Sequence, residues 1–244
     1  SFPKILFLIL LLLSYLSLSN SFTGKYPRSP YRDDAMYELG LDEPVLPTHL
    51  RPLFSEQRIV GIAHTVLGRS IDPWIPWDEG VERITSYLRV FEELEPDSVL
   101  VSVNPDSSVG HFGELTGNAA RKRGCVGVVL DGNLRDVEGL RDIGFPVFFR
   151  DLSPLNAIGR WEMVGHQVPV EIGAVTVCPG DVVFAEFEGI VVVPSDQASA
   201  VLEKAEEIVA AEARVPTLAS PSLATCLLAS FEAWAPPPWT DSAT

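Results

Sequence analysis

With 244 residues, 46% of them hydrophobic, the chain can bury one sizeable core, and a long single domain with tails fits it better than two domains. A formal charge of −15, from 33 acidic and 18 basic side chains, argues against a nucleic-acid or anionic-membrane surface, because either needs a basic face. The three cysteines, Cys125, Cys178 and Cys226, are odd in number and widely spaced, which fits neither a disulfide framework nor a CxxC metal knuckle and leaves buried free thiols.

Ile5 to Leu13 is an unbroken apolar run after Lys4, followed by SYLSLSNS. It resembles a secretory h-region, too short for a comfortable membrane span and ending in a weak cleavage site, Ser19-Asn20-Ser21. Residues 1–27 are therefore read as a leader or a non-native end and kept out of the fold, which leaves 28–215 as the folded domain and 216–244 as a poorly ordered Pro/Ser/Ala-rich tail. In the domain, RDDAMYELGL suggests a helix with Met36 and Leu39 inward, Pro44 to Pro52 a connection, and Arg58 to Val66 a strand. His64 inside that strand reads as a packed core residue rather than a ligand. Gly68 to Gly80 has a loop composition, with Trp74 and Trp77 expected to pack over the core rather than form a lid. Val81 to Leu94 carries Ile84, Leu88 and Phe91 on one helical stripe.

The centre of the chain carries the chemistry. Ser98 to Val103 and Val126 to Leu130 read as buried parallel strands, the second closed by Asp131-Gly132. Between them Glu114 to Arg123 is helix-permissive, with Leu115, Ala119 and Ala120 at helical spacing and Gly124 placed to end it. Such a strand-helix-strand unit puts the carboxyl ends of its strands at one edge, so the turn of Gly113-Glu114-Leu115 and the loop of Arg135-Asp136 open side by side. Unpaired amides at a helix start favour an anion, and Gly113 lets one approach closely. Asp136 offers a hard oxygen ligand to Mg²⁺ or Mn²⁺, and Arg135 a planar fork to substrate oxygens. The plainer alternative is a surface ion pair beside a glycine turn that binds nothing.

Further on, Val137 to Ile143 is a short helix and Pro146 to Phe149 a buried strand. Val168 to Ile172, Val175 to Val177, Val182 to Ala185 and Ile190 to Val193 are short strands punctuated by turns, hence antiparallel structure. Ser195 is placed to cap a closing helix, Ala198 to Glu212, with Val201, Leu202, Ala205, Ile208 and Val209 inward.

GEL, nineteen residues and then RD, with VVLDGNLRD, IGFPVFFRD, VPVEIGAVTVCPGD and GIVVVPSD, resembles the RraA-like family, which includes class II 4-hydroxy-4-methyl-2-oxoglutarate aldolases. The resemblance spans about Asp34 to Arg214. It implies an α/β fold of the swivelling β/β/α type, a central parallel βαβ unit with added antiparallel strands, homotrimers or hexamers, and sites shared between subunits. By that likeness Gly113, Glu114, Leu115 and Thr116 bind the substrate carboxylate through backbone amides and Arg135 binds substrate. Asp136 holds a divalent cation, Mg²⁺ or Mn²⁺, and a water near Glu114 transfers the proton. The implied reaction is metal-dependent retro-aldol cleavage of a small 2-oxo acid to pyruvate, with oxaloacetate decarboxylation as a companion activity. A Schiff-base route is set aside, since of Lys4, Lys25, Lys122 and Lys204 only Lys122 is near this unit.

The chain departs from the family in one place near the site: the acidic residue usual three positions after the aspartate is Gly139, with Glu138 one residue early and Asp142 further on. The ends differ as well. Two other readings compete. His111 on a glycine turn before a helix has the outline of a phosphate carrier in swivelling phosphotransfer domains, and some RraA-like members bind and inhibit ribonuclease E without catalysis. No nucleic-acid or stable membrane partner is expected, and the expected location is cytoplasmic, or exported if residues 1–21 form a genuine signal peptide.

Overall fold

β-branched runs with no polar alternation need cover on both faces, and in the computed structural model they form the parallel centre of a nine-stranded sheet. The structure describes residues 29–41, 45–104 and 108–212; the apolar leader, the Pro/Ser/Ala-rich tail and Cys226 lie outside the described residues. In chain order the elements are α1 (Ser29–Glu38), β1 (Arg51–Pro52), β2 (Ile59–Ser70), α2 (Trp77–Glu93), β3 (Ser98–Val103), β4 (Gly110–Phe112), α3 (Glu114–Lys122), β5 (Gly127–Leu134), α4 (Val137–Asp142) and β6 (Val147–Leu152). Then follow β7 (Trp161–His166), β8 (Val170–Ile172), β9 (Val175–Val177), β10 (Val182–Glu186), β11 (Gly189–Val193) and α5 (Ala198–Glu212).

The strand order is β1-β6-β5-β3-β2-β10-β11, with β4 added beside β5 and β7 beside β2. β2, β3, β5 and β6 run parallel, and β1, β7, β10 and β11 join antiparallel. Alternation along each strand divides the core. Leu100, Val128, Leu130 and Val147 pack with residues of α2, α3 and α4, while Val99, Val101, Val129 and Phe148 pack under the β8–β9 hairpin. Val182, Phe184, Val191 and Val193 form a third cluster with Met36 of α1 and Val201, Ala205 and Ile208 of α5. This is the mixed α/β architecture the sequence implied, with the central βαβ unit in place.

Several details differ from expectation. β2 continues through Gly68 to Ser70 because β7 pairs with it there, and Trp161 lies so close to Gly68 that a Cβ would stand 2.2 Å from the indole. β5 does not close at Asp131-Gly132; a register shift between Leu130 and Asn133 absorbs one extra residue and the strand runs on to Leu134. Trp74 and Trp77 do not pack over the core but are 60% and 61% exposed, and the Arg160 guanidinium stacks over the Trp74 ring at 4.4 Å. Leu39 and Leu88, expected inward, are exposed. Cys125 is buried, but Cys178 is exposed in the turn before β10. Ser195 is not the cap of α5: Gln197 accepts the Val201 amide, and the Ser195 amide donates to Asp181. His64 is buried, as a core histidine should be.

Candidate active site

β4 sets the geometry of the site. Although only three residues long, it pairs with β5 through Phe112 opposite Leu134, and the Arg135 amide donates to the Phe112 carbonyl at 3.0 Å. The turn after β4 and the loop after β5 are thereby held side by side. The contact is tight. A Cβ on Gly113 would stand 2.5 Å from Asp136 Oδ2 and 2.9 Å from Arg135 Cγ. The Gly113 backbone is extended (φ −165°), a conformation open to any residue, so glycine is required there for space alone. Gly113→Ala is expected to cost about 1–3 kcal/mol of stability through overpacking, read by urea denaturation; a cost below about 0.5 kcal/mol would show that the turn and the Arg135-Asp136 loop are not in contact.

Asp136 is the N-cap of α4 and stands in the left-handed region (φ 54°, ψ 45°), which aspartate tolerates better than most side chains. Its carbonyl accepts the Leu140 amide at 3.1 Å, which fixes the loop to the first turn of α4. Arg135 Nε lies 3.3 and 3.2 Å from the two Asp136 carboxylate oxygens, with both side chains about a third exposed. An ion pair so open to solvent contributes at most about 1 kcal/mol to stability. Its place beside the Gly113 turn is what gives it chemical interest.

At the start of α3 the Thr116 hydroxyl accepts the Gly113 N–H and donates to the Gly113 carbonyl, both at 2.9 Å. Of the four residues assigned to carboxylate binding, Gly113 therefore spends its amide on Thr116. The amides of Glu114, Leu115 and Thr116 open the helix and have no carbonyl a turn behind them, a geometry that suits an anion. The Leu115 side chain beside them is 85% exposed.

The Glu114 side chain leans across to α4. A Cβ on Gly139 would stand 2.4 Å from Glu114 Oε2, so the acidic group nearest position 139 is that of Glu114. No spacing pattern in the sequence connects these two residues. Among the described residues no three or more His, Cys, Asp or Glu side chains converge as a metal cage. The donors at this edge are carboxylates, hard oxygen ligands of the kind that bind Mg²⁺ or Mn²⁺ with waters completing the shell, so Asp136 fits such an ion better than zinc.

Two other sequence candidates land elsewhere. His111 is buried, its Nε2 2.9 Å from Ser102 Oγ and its ring stacked on Trp161 at 4.7 Å. Burial, with a smaller contribution from Arg150, pushes its pKa down to about 3. A ring so enclosed is not presented for phosphate transfer. Lys122 ends α3 a full helix length from the Gly113 turn. Sequence reading also passed over Arg150, which donates to Asp131 Oδ1 at 3.0 Å and to the Asn104 carbonyl at 2.9 Å and so ties together the ends of β3, β5 and β6. The only signal for it was an arginine just after an apolar strand.

The sequence profile of the RraA-like family, Aldolase/RraA, matches residues 33–192. Protein DlpA of Legionella pneumophila is 28% identical over 187 residues, which is 75% of this chain and 29% of DlpA, so the chain spans less than a third of that relative. A candidate 4-hydroxy-4-methyl-2-oxoglutarate aldolase of Halalkalibacterium halodurans is 27% identical over 163 residues, covering 66% of this chain and 72% of that one. The crystal structure of Streptomyces coelicolor RraAS2, described as an unusual member of the RNase ES inhibitor RraA protein family, superposes with a TM-score of 0.67 at 26% identity over 76% of this chain and 89% of that one. With the family profile covering most of the chain and the fold shared with a family member, this protein belongs to the RraA-like family.

Proposed function

We propose that the protein is a divalent-metal-dependent lyase that cleaves 4-hydroxy-4-methyl-2-oxoglutarate-type 2-oxo acids to pyruvate and can decarboxylate oxaloacetate. The observation that carries this reading is the close approach of Gly113 to both Arg135 and Asp136, which brings the start of α3 beside a guanidinium and a carboxylate. The aldolase-type relative supports the reaction class.

In this reading the amides of Glu114, Leu115 and Thr116 bind the substrate carboxylate. Asp136 holds Mg²⁺ or Mn²⁺, which when bound supplies Lewis acidity to the 2-oxo group as the carbon–carbon bond breaks. Arg135 donates hydrogen bonds to the oxygen that gains charge. The Glu114 carboxylate holds the water that returns a proton to the product carbon. A homotrimer or hexamer with sites at subunit boundaries belongs to the same proposal. The deciding experiment is an assay of pyruvate release from 4-hydroxy-2-oxo acids and oxaloacetate, with and without metal.

Arg135→Lys keeps the charge and loses the planar fork. It is expected to lower kcat/KM at least about tenfold, roughly 1.4 kcal/mol of transition-state stabilisation, with an unchanged melting temperature. Turnover within about twofold of the parent would remove Arg135 from the mechanism.

A second reading, a non-catalytic regulator that binds a ribonuclease or another protein, draws on the likeness to RraAS2 and on the acidic charge of −15, which suits a basic partner. A chain that binds metal and substrate analogues yet releases no pyruvate would favour it.

A further inference from the structure

We propose that the carboxyl end of β7 is a latch that acid opens. His64 of β2 and His166 of β7 stay joined only while one proton lies between them. A second proton frees β7 from β2 and loosens its other end, Trp161, from β4, the strand that leads into the Gly113 turn. The latch does not depend on the lyase reading.

β7 rests on few partners. Among the described residues it pairs with β2 alone, over Val66–Ser70, with a register shift between Leu67 and Gly68. At its far end Trp161 lies against Gly68 and stacks on His111 of β4 at 4.7 Å, and Glu162 beside it pairs with Arg69 and Arg83 at 2.6 and 2.8 Å. The near end is fastened by histidines. His64 Nε2 and His166 Nε2 are 2.7 Å apart while the ring centroids are 4.9 Å apart, so the rings meet edge to edge through these nitrogens rather than stacking. Only one of the two nitrogens can carry hydrogen. The next residue, Gln167, stands in the left-handed region (φ 51°), which a residue with a Cβ adopts only where its surroundings hold it. Its amide donates to the Thr65 carbonyl at 2.9 Å, and its side chain reaches both the Thr65 amide and His64 Nδ1 at 3.2 Å. The turn after β7 is thus held against its backbone preference by bonds that run through His64 and Thr65.

A second proton, taken from solvent by either ring, sets N–H against N–H across 2.7 Å or strips His64 Nδ1 of its bond from Gln167. His166 has a substitute partner: Glu93 Oε2 of α2 lies 3.7 Å from its Nδ1, so the charged ring can stay with α2 as it leaves β2. Among the described residues, the charges that act on His64 are those of His166 and Glu93. On β3 the residue paired with His64 is Leu100, on the β10 side the Asp181 carboxylate accepts the Cys178 and Ser195 amides, and Arg89 and Glu92 of α2 are exposed. Burial, and then His166, lower the His64 pKa to about 4, against about 6.5 for a released histidine. The closed latch therefore keeps its full advantage above about pH 6.5 and loses it as pH falls toward about 4. The open fraction rises about tenfold per pH unit in that window, and about thirtyfold between pH 7.5 and 5.

Hydrogen exchange of the full chain at pH 7.5 and 5, read by mass spectrometry and corrected for the intrinsic rate at each pH, tests the latch. Amides of Trp161–His166 and Val66–Ser70 should exchange about thirtyfold faster at pH 5, and those of Gly110–Phe112 should rise with them. β7 should stay faster than β3 at both values, since an amide of the central strand opens only with the whole fold. His64→Gln/His166→Gln keeps two side chains able to hydrogen-bond to each other with no proton to gain, and should hold the change in β7 below about threefold. Should that variant not fold, nitrogen-15 NMR of the parent decides. His64 should be a single Nε2–H tautomer at pH 7.5 and should take its second proton in step with the loss of β7 protection. The latch is overturned if β7 exchange in the parent changes by less than about threefold, if β7 and β3 exchange alike, if the double variant keeps the parent's rise, or if His64 charges while β7 stays closed. Gly110–Phe112 amides that stay protected when β7 opens overturn the link to the Gly113 turn.

Discussion

Asp136→Asn is expected to abolish metal-dependent pyruvate release and leave the fold intact. The two side chains are nearly the same size, and asparagine tolerates the left-handed backbone at this position as well as aspartate does, so the start of α4 should survive. What is lost is the anionic ligand. The ion pair with Arg135 is open to solvent, and losing it should cost no more than about 1 kcal/mol of stability. A Lewis acid contributes several kcal/mol to a step of this kind, so its displacement should lower turnover about a thousandfold, some 4 kcal/mol, and excess metal should not restore it. EDTA should silence the parent protein, and added Mg²⁺ or Mn²⁺ should revive it, because one carboxylate with waters holds such ions weakly. If the chelated protein keeps its activity, or the asparagine variant turns over normally, the lyase reading fails and the regulator reading becomes the better one.

A second large effect concerns acid. Two histidines are held neutral in the fold: His111, pushed down to about 3 mainly by burial, and His64, lowered to about 4 by burial and then by His166. The surroundings of His64 fix its proton. Gln167 Oε1 accepts the Thr65 amide at 3.2 Å, which turns the Gln167 amide nitrogen toward His64 Nδ1, also at 3.2 Å. His64 Nδ1 is then an acceptor, and its proton sits on Nε2, shared with His166 Nε2 at 2.7 Å. A second proton would set two N–H groups against each other or break the Gln167 bond. Unfolded, both histidines titrate near the ordinary value of about 6.5, so their contribution is fully present above that pH and is lost as pH falls, until the folded groups titrate near their lowered values. Each loses about 1.4 kcal/mol per pH unit over that window, so the pair should cost about 4 kcal/mol between pH 6.5 and 5. Urea denaturation at pH 7.5 and 5 reads this directly. His111→Phe should roughly halve the slope whatever it does to the absolute stability, and a stability unchanged between the two pH values would show that the histidines are not held neutral.

The parallel unit was legible because its signals are local. Apolar runs of strand length, a helix-permissive segment and Gly124, which does adopt φ +84°, gave β3, α3 and β5, and the single handedness of such crossovers brought the Gly113 turn and Arg135-Asp136 to one edge. What escaped depends on tertiary partners. Gly110–Phe112 is too short to show a period and is a strand only because β5 runs on beside it. β7 mixes Trp161, Glu162 and His166 in a pattern neither amphipathic nor uniformly apolar. It becomes a strand against β2, where Arg69 of β2 and Arg83 of α2 both pair with Glu162. Leu115 keeps helical spacing yet faces solvent, because a helix this short buries only Gly117 and Ala120 fully. The approach of Glu114 to Gly139 needs two helices to pack, and twenty-five residues of sequence separate them without a pattern.

The double use of β2 bears on how the chain reaches this structure. One edge of β2 pairs with β3, but its other edge is covered by β10 over Ile59–Ile62 and by β7 over Val66–Ser70, both supplied from a hundred residues or so further on. β3, β4, α3, β5, α4 and β6 follow one another in sequence and meet mostly neighbours, so the half that carries the candidate site can assemble from short loops. The other half waits. Until residues 161–193 are available, an apolar strand edge stands open to any passing strand. During synthesis this exposure ends only when β7 and β10 emerge, so strands made after the unit that carries the candidate site are the ones that protect the molecule from aggregating before it can act.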